Sequence, residues 1–239
     1  ARAARAARAV LALATLLALS ATPAAFAVDR RDLPIPRGEG AVLESTLYAA
    51  RFPGPGALLI PSCQGRRNQY DTLGAKLSSS RTHVLSFDYR AGVEGAVGSL
   101  ALMADLNAAL ETLLAQRNLE RTAPMVLGFG CGAASAIELA ASRGDVRALI
   151  LISPELDRLG ERANELFGQI VNVPLFIATA VDHGTSAVQS KRLFDANKAV
   201  RTQWLLSKGS DGETQLFAKD SGLKSKIEAW IDDVLKKEN

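Results

Sequence analysis

Short, almost unbroken apolar runs alternate along this chain with longer stretches in which apolar residues recur every three or four positions. Ala57-Leu58-Leu59-Ile60, Val84-Leu85-Ser86-Phe87, Val146 to Ile152 and Val173 to Ala180 are runs of the first kind. Such short runs predict strands covered on both faces. Val42 to Tyr48 partly alternates and predicts an edge strand, and Val200 to Leu206 predicts a further strand. Helical spacing is clearest in Leu100 to Gln116, where Leu102, Leu106, Leu110, Leu113 and Leu114 share one side. Helices are also predicted through Tyr70 to Ser78, Ser186 to Asn197, and Leu216 to Leu235 with Trp230 on its apolar face. Strands alternating with helices imply an α/β fold, a doubly wound, mostly parallel sheet with helices on both faces. Ligand sites in such sheets form at the carboxyl ends of the strands, so the loops of interest share one rim.

The first residues break this pattern. Arg2, Arg5 and Arg8 precede an apolar run from Val10 to Leu19, then Pro23 and Ala25-Phe26-Ala27. A basic start, a greasy core and a small-x-small ending describe a cleavable secretory signal. The run is too short to span a bilayer, which takes about 20 apolar residues. The expected organisation is a signal peptide at 1–27, an irregular lead-in at 28–40 marked by Pro34 and Pro36, and one domain at 41–239. An exported location, periplasmic or secreted, follows, with no stable membrane insertion after cleavage.

Charge then changes meaning. The net +3 belongs to the three leader arginines, because the remaining basic residues equal the 25 acidic ones. A balanced surface offers no footprint for nucleic acid, so the expected partner is a small molecule or another protein.

The most distinctive stretch is Val126-Leu127-Gly128-Phe129-Gly130-Cys131-Gly132-Ala133-Ala134. An apolar strand enters a glycine-dense turn and an alanine-rich helix (Cys131 to Ala141) leaves it. That is the shape of a nucleophile elbow, a sharp strand-to-helix turn that lifts one side chain above a parallel sheet. Written as G-x-Nu-x-G, the turn carries glycine at the nucleophile's own position, Gly130.

With the strand and loop at Leu58-Leu59-Ile60, the Phe87-Asp88-Tyr89-Arg90-Ala91-Gly92 segment, the elbow, Ala180-Val181-Asp182 and the last strand and helix, the chain resembles the α/β-hydrolase superfamily. The likeness is to its small, lidless, dienelactone-hydrolase-like or peptidase-like members and covers roughly 40–237. The short link between Ile152 and Val173 leaves little room for a cap domain. The resemblance implies a nucleophile at Gly130, an acid at Asp182, and a histidine where Gly209-Ser210-Asp211-Gly212 places Asp211. Only the acid is of the right type. The His-Gly commonly found after the strand ending at Ile60 is replaced by Pro61-Ser62-Cys63-Gln64-Gly65, so the oxyanion-hole region falls on Cys63, Gln64 and Cys131.

Acyl transfer of this kind needs an activated nucleophile and a base held by an acid. The chain has two histidines. His83 opens a strand and reads as a core or strand-edge residue. His183 follows Asp182, two strands from the elbow in the usual strand order, or about 10 Å. Asp182 and Asp211 would share a proton if adjacent, but Asp211 in Ser-Asp-Gly also reads as a turn residue at a wet rim. No His/Cys/Asp cluster has metal-ligand spacing, and Gly128-x-Gly130-x-Gly132 lacks the dinucleotide pattern. No metal or cofactor is expected.

The resemblance places Cys63 and Cys131 on neighbouring strand ends, which implies a disulfide across the former oxyanion hole. The alternatives are two unpaired apolar fillers, or Cys131 as a nucleophile in a slipped turn, which would force Phe129 into a tight bend. The expectation is an exported α/β-hydrolase-fold protein that has lost hydrolase chemistry and serves as a non-catalytic binding or stabilising module. The competing expectation is a hydrolase of small esters, thioesters or lactones that uses Cys131 or an unconventional site built from Ser62, Asp182 and Asp211.

Overall fold

The computed structural model describes residues 28–37, 42–92, 96–120, 124–182, 184–207 and 213–236. The signal-like leader lies outside them, as do His183 and Asp211. The strands are β1 (Asp29–Asp32), β2 (Ile35–Pro36), β3 (Val42–Leu43), β4 (Ser45–Ala49), β5 (Gly56–Ile60), β6 (His83–Phe87), β7 (Met125–Phe129), β8 (Ala148–Ile152), β9 (Leu175–Ala180) and β10 (Gln203–Ser207). The helices are α1 (Asp71–Ser79), α2 (Leu100–Leu114), α3 (Gly132–Arg143), α4 (Ala163–Gln169), α5 (Gly184–Ala196), α6 (Glu213–Lys219) and α7 (Leu223–Leu235).

Eight strands form one sheet in the order β1-β4-β6-β5-β7-β8-β9-β10. From β6 to β10 the pairings are parallel, and β4 runs against both of its neighbours. Every residue of β5, β6, β7, β8 and β9 is buried. Successive side chains point to opposite faces, so burial of a whole strand requires cover on both. Leu58, Val126, Leu149 and Ile177 pack on one face with Leu106 of α2, Ile137 of α3 and Leu193 of α5. Leu59, Leu127, Ile150 and Phe176 pack on the other with Leu77 of α1 and Ile227 and Trp230 of α7. The Trp230 indole N–H donates to the Arg201 carbonyl at 2.7 Å, which satisfies the one polar atom this ring takes inside.

Between β8 and β9 the chain makes a 3-10 turn (Leu156–Arg162) and α4, and no cap domain rises there. Arg162 pairs with the buried Glu138 of α3 at 2.8 Å. No described helix is long and apolar enough to cross a membrane.

The structure corrects three expectations. Part of the stretch read as an irregular lead-in is ordered: β1 pairs antiparallel with β4, and β2 with β3. Arg37 at its end pairs with Asp105 of α2, which also accepts from Arg90 Nε at 2.9 Å. Prolines 34 and 36 suppress a helix but permit this extended pairing. The Val42–Tyr48 strand is consequently not at the edge, because β1 lies outside β4. The C-terminal helix is two helices, broken where the Asp220 carboxylate accepts from the Gly222 N–H at 3.0 Å. That Asx-type turn competes with helical continuation.

Candidate functional site

The rim of the sheet is organised by three glycines. A Cβ on Gly128 would lie 2.5 Å from Ala133 Cα, so the bare strand lets α3 start directly above it. A Cβ on Gly132 would lie 2.2 Å from the Pro61 carbonyl oxygen, which sets how closely α3 approaches the end of β5. Gly130, between them, has φ +51°. Its N–H donates to the Ile152 carbonyl at 3.0 Å, and its own carbonyl accepts from Glu155 N at 3.0 Å and Ala133 N at 3.2 Å. The sharp turn is therefore intact. A side chain there would hold left-handed backbone strain; glycine relieves it. At the far end of α3, Gly144 at φ +67° closes the helix with its N–H on the Ala140 carbonyl.

The space above Gly130 is taken. Pairing of Ile60 with Gly128 brings the loop after β5 beside the turn. There the Ser62 hydroxyl stands 2.7 Å, and Glu155 Oε1 3.5 Å, from where a Cβ of residue 130 would sit. Glu155 in turn accepts from Arg158 Nε at 3.3 Å. The loop is held from three sides. Ser62 N–H donates to the Tyr70 hydroxyl at 3.1 Å, Tyr89 O–H donates to the Pro61 carbonyl at 2.8 Å, and Cys63 is bonded to Cys131. Burial pushes the Tyr89 phenol well above its usual pKa, which keeps it a donor.

The Cys63–Cys131 disulfide spans a Cα separation of 5.8 Å, within the range the bond favours. It closes over the oxyanion-hole region named from the resemblance, and Cys63 N–H points at Cys131 Sγ, 2.6 Å away. Thus the amides of Ser62 and Cys63 already have acceptors, and the Cys131 sulfur is not a thiolate in this state. Gln64 is exposed. It lines a depression of about 290 Å³ with Cys63, Gly65, Arg66 and Tyr89.

Of the other carried-over positions, Asp182 alone is among the described residues. Asp182 is exposed in the turn after β9, with β8 between its strand and β7. Asp211 and His183 fall outside the described residues. His83 is buried at the amino end of β6, paired in register with Gly56, the first residue of β5. It is therefore at the opposite rim from the elbow. Its Nδ1 accepts from the Ala50 N–H at 3.2 Å, and burial holds its pKa below the ordinary value. Among the described residues, no group of three His, Cys, Asp or Glu could hold a metal ion.

Sequence reasoning missed the aromatic wall. The Tyr70 and Phe129 rings lie 4.3 Å apart, tilted by 40°, and Phe217 of α6 lies 6.1 Å from Phe129. The segment following the last strand thus delivers a phenyl ring against the residue before Gly130. A second depression, about 230 Å³, lies along this wall between Gln69, Thr72 and Lys224. Glu155 was also missed. Only its place just after a buried strand, on the functional rim, could have singled it out.

No family model matches the chain, and no curated protein matches it in sequence. Solved structures do. The structure of DcsB in complex with its substrate analogue superposes with a TM-score of 0.75 at 11% identity, over 87% of this chain and 100% of that one. A dienelactone hydrolase from Anabaena variabilis gives 0.71 at 14% identity, over 87% and 99%. An esterase from Pyrococcus furiosus gives 0.69 at 18% identity, over 86% and 93%. With the sheet order, the glycine turn and the two helical layers, these similarities establish the α/β-hydrolase fold. More narrowly, the chain is similar in structure to hydrolases of that fold, and no large cap stands among the described residues.

Proposed function

We propose that the chain is an exported α/β-hydrolase-fold protein that has lost hydrolase chemistry and acts as a non-catalytic binding or stabilising module. The observation that carries this reading is Gly130: the turn that aims a reactive atom holds none, and the Ser62 hydroxyl fills the space. The disulfide supports it, because it ties up the Cys131 sulfur. The position of His83 at the far rim supports it as well. Export is supported by the leader pattern of residues 1–27 and by the disulfide, which persists in oxidising compartments. The test is a panel of small esters, thioesters and lactones given to residues 28–239, with and without reductant. The reading requires hydrolysis at the rate of buffer alone in both conditions.

A second reading rests on a specific observation. The Ser62 hydroxyl stands where an elbow side chain would begin, with the Glu155 carboxylate beside the same point. A hydrolase using that hydroxyl would show turnover abolished by Ser62→Ala, reduced by Glu155→Gln and indifferent to reductant.

A further inference from the structure

The two sulfurs of the rim disulfide are not equivalent. Cys131 is 1% exposed, whereas Cys63 is partly exposed and lines the 290 Å³ depression beside Arg66. A thiolate arriving from solvent therefore meets Cys63 first. Attack on one sulfur of a disulfide expels the other, and the better leaving group is the thiol of lower pKa. Attack at Cys63 makes Cys131 the sulfur that leaves. Cys131 is the N-cap residue of α3, a helix running from Gly132 to Arg143, so its sulfur lies at the positive end of the helix dipole. The Cys63 N–H already points at it from 2.6 Å. A turn and helix end suited to a developing oxyanion are equally suited to a developing thiolate.

We propose that Cys63 is a thiol-exchange site for small thiols that carry a carboxylate. The thiolate sulfur of the incoming molecule bonds to Cys63 Sγ as the Cys63–Cys131 bond breaks. The electron pair leaves on Cys131 Sγ, and no outside oxidant is consumed. Return attack by Cys131 on Cys63 releases the thiol and restores the disulfide. The loop keeps its shape through the cycle, because Tyr89 and Tyr70 hold Pro61 and Ser62 independently of the sulfurs. Arg66, exposed on the rim of the depression, supplies the charge that selects an anionic thiol. This site does not depend on whether the rim hydrolyses anything.

The test uses the oxidised protein, residues 28–239, with glutathione, 2-mercaptoethanol and cysteamine as anionic, neutral and cationic probes at equal thiolate concentration. Acid quenching and peptide mass mapping then locate the adduct. The proposal requires the adduct on Cys63 with Cys131 free, and glutathione reacting at least three-fold faster than cysteamine. In Arg66→Glu that order reverses, while the 2-mercaptoethanol rate stays within two-fold of the parent. An adduct on Cys131, no mixed disulfide at any thiol concentration, or equal rates for the charged probes would overturn it. A second variant tests the leaving group. In Cys63→Ser, alkylation of Cys131 should titrate at least one pH unit below the value of about 8.5 typical of a free cysteine. A midpoint at or above that value would sink the proposal.

Discussion

Putting a hydroxyl back at the elbow is the sharpest perturbation this rim offers. In Gly130→Ser the new side chain must accept φ +51°, and left-handed backbone costs a non-glycine residue roughly 1–2 kcal/mol. Its Cβ must also displace the Ser62 hydroxyl, now 2.7 Å from that point. Ser62 can rotate, so this second cost is modest, about 1 kcal/mol by analogy with other overpacking. The substitution should therefore destabilise by about 2–3 kcal/mol, a fall in Tm of roughly 4–12 °C for a chain of this size. Ser62→Gly in the same molecule should recover the crowding part and leave the backbone part, a coupling measurable as a double-mutant cycle. Thermal and urea unfolding of the four proteins measure the stabilities, and p-nitrophenyl ester hydrolysis measures any gain of function. Neither Gly130→Ser nor the double variant should turn over ester, since the only described histidine lies at the opposite rim. A Gly130→Ser protein as stable as the parent would refute the steric argument. One that hydrolysed ester would refute the argument that no described histidine reaches this rim.

Other consequences are open to measurement. Reducing the Cys63–Cys131 disulfide, or replacing both cysteines with serine, should lower stability by about 4 kcal/mol in the chain-entropy model, seen as a fall in Tm that depends on reductant only in the parent. Asp105→Ala should cost about 2–3 kcal/mol in urea unfolding, because it strands Arg37 and Arg90 around a carboxylate site that is 1% exposed. His83, held neutral by burial, binds its proton more readily once unfolded. Stability should therefore fall as pH drops below the unfolded value of about 6.5, and His83→Gln should flatten that part of the profile.

The parts of this molecule that were legible in the sequence depend on local periodicity. Leu58 to Ile60 and Ala148 to Ile152 are apolar because both faces of their strands are covered, and a short run records that directly. The glycine turn was legible for a related reason: Gly128, Gly130 and Gly132 each answer to a contact or a dihedral within a few residues or one strand away. The break at Asp220 was missed because apolar spacing carries on through Leu223 and Ile227, while the turn is made by a side-chain hydrogen bond that leaves no trace in hydropathy. The ordering of 29–36 depends on pairing with strands whose register the lead-in's own residues do not encode. Ser62 over Gly130, and Phe217 against Phe129, arise only when separate strand ends are brought side by side. The disulfide was accessible through the resemblance, because the strand order of the fold makes Cys63 and Cys131 neighbours.

The central claim is that, among the described residues, no activated side chain stands above the Gly130 turn. Intact mass of residues 28–239 after exposure to excess fluorophosphonate ester, an electrophile that captures activated serine hydroxyls, tests it most directly. The account predicts an unmodified protein. A single stoichiometric adduct mapping to Ser62 would contradict it.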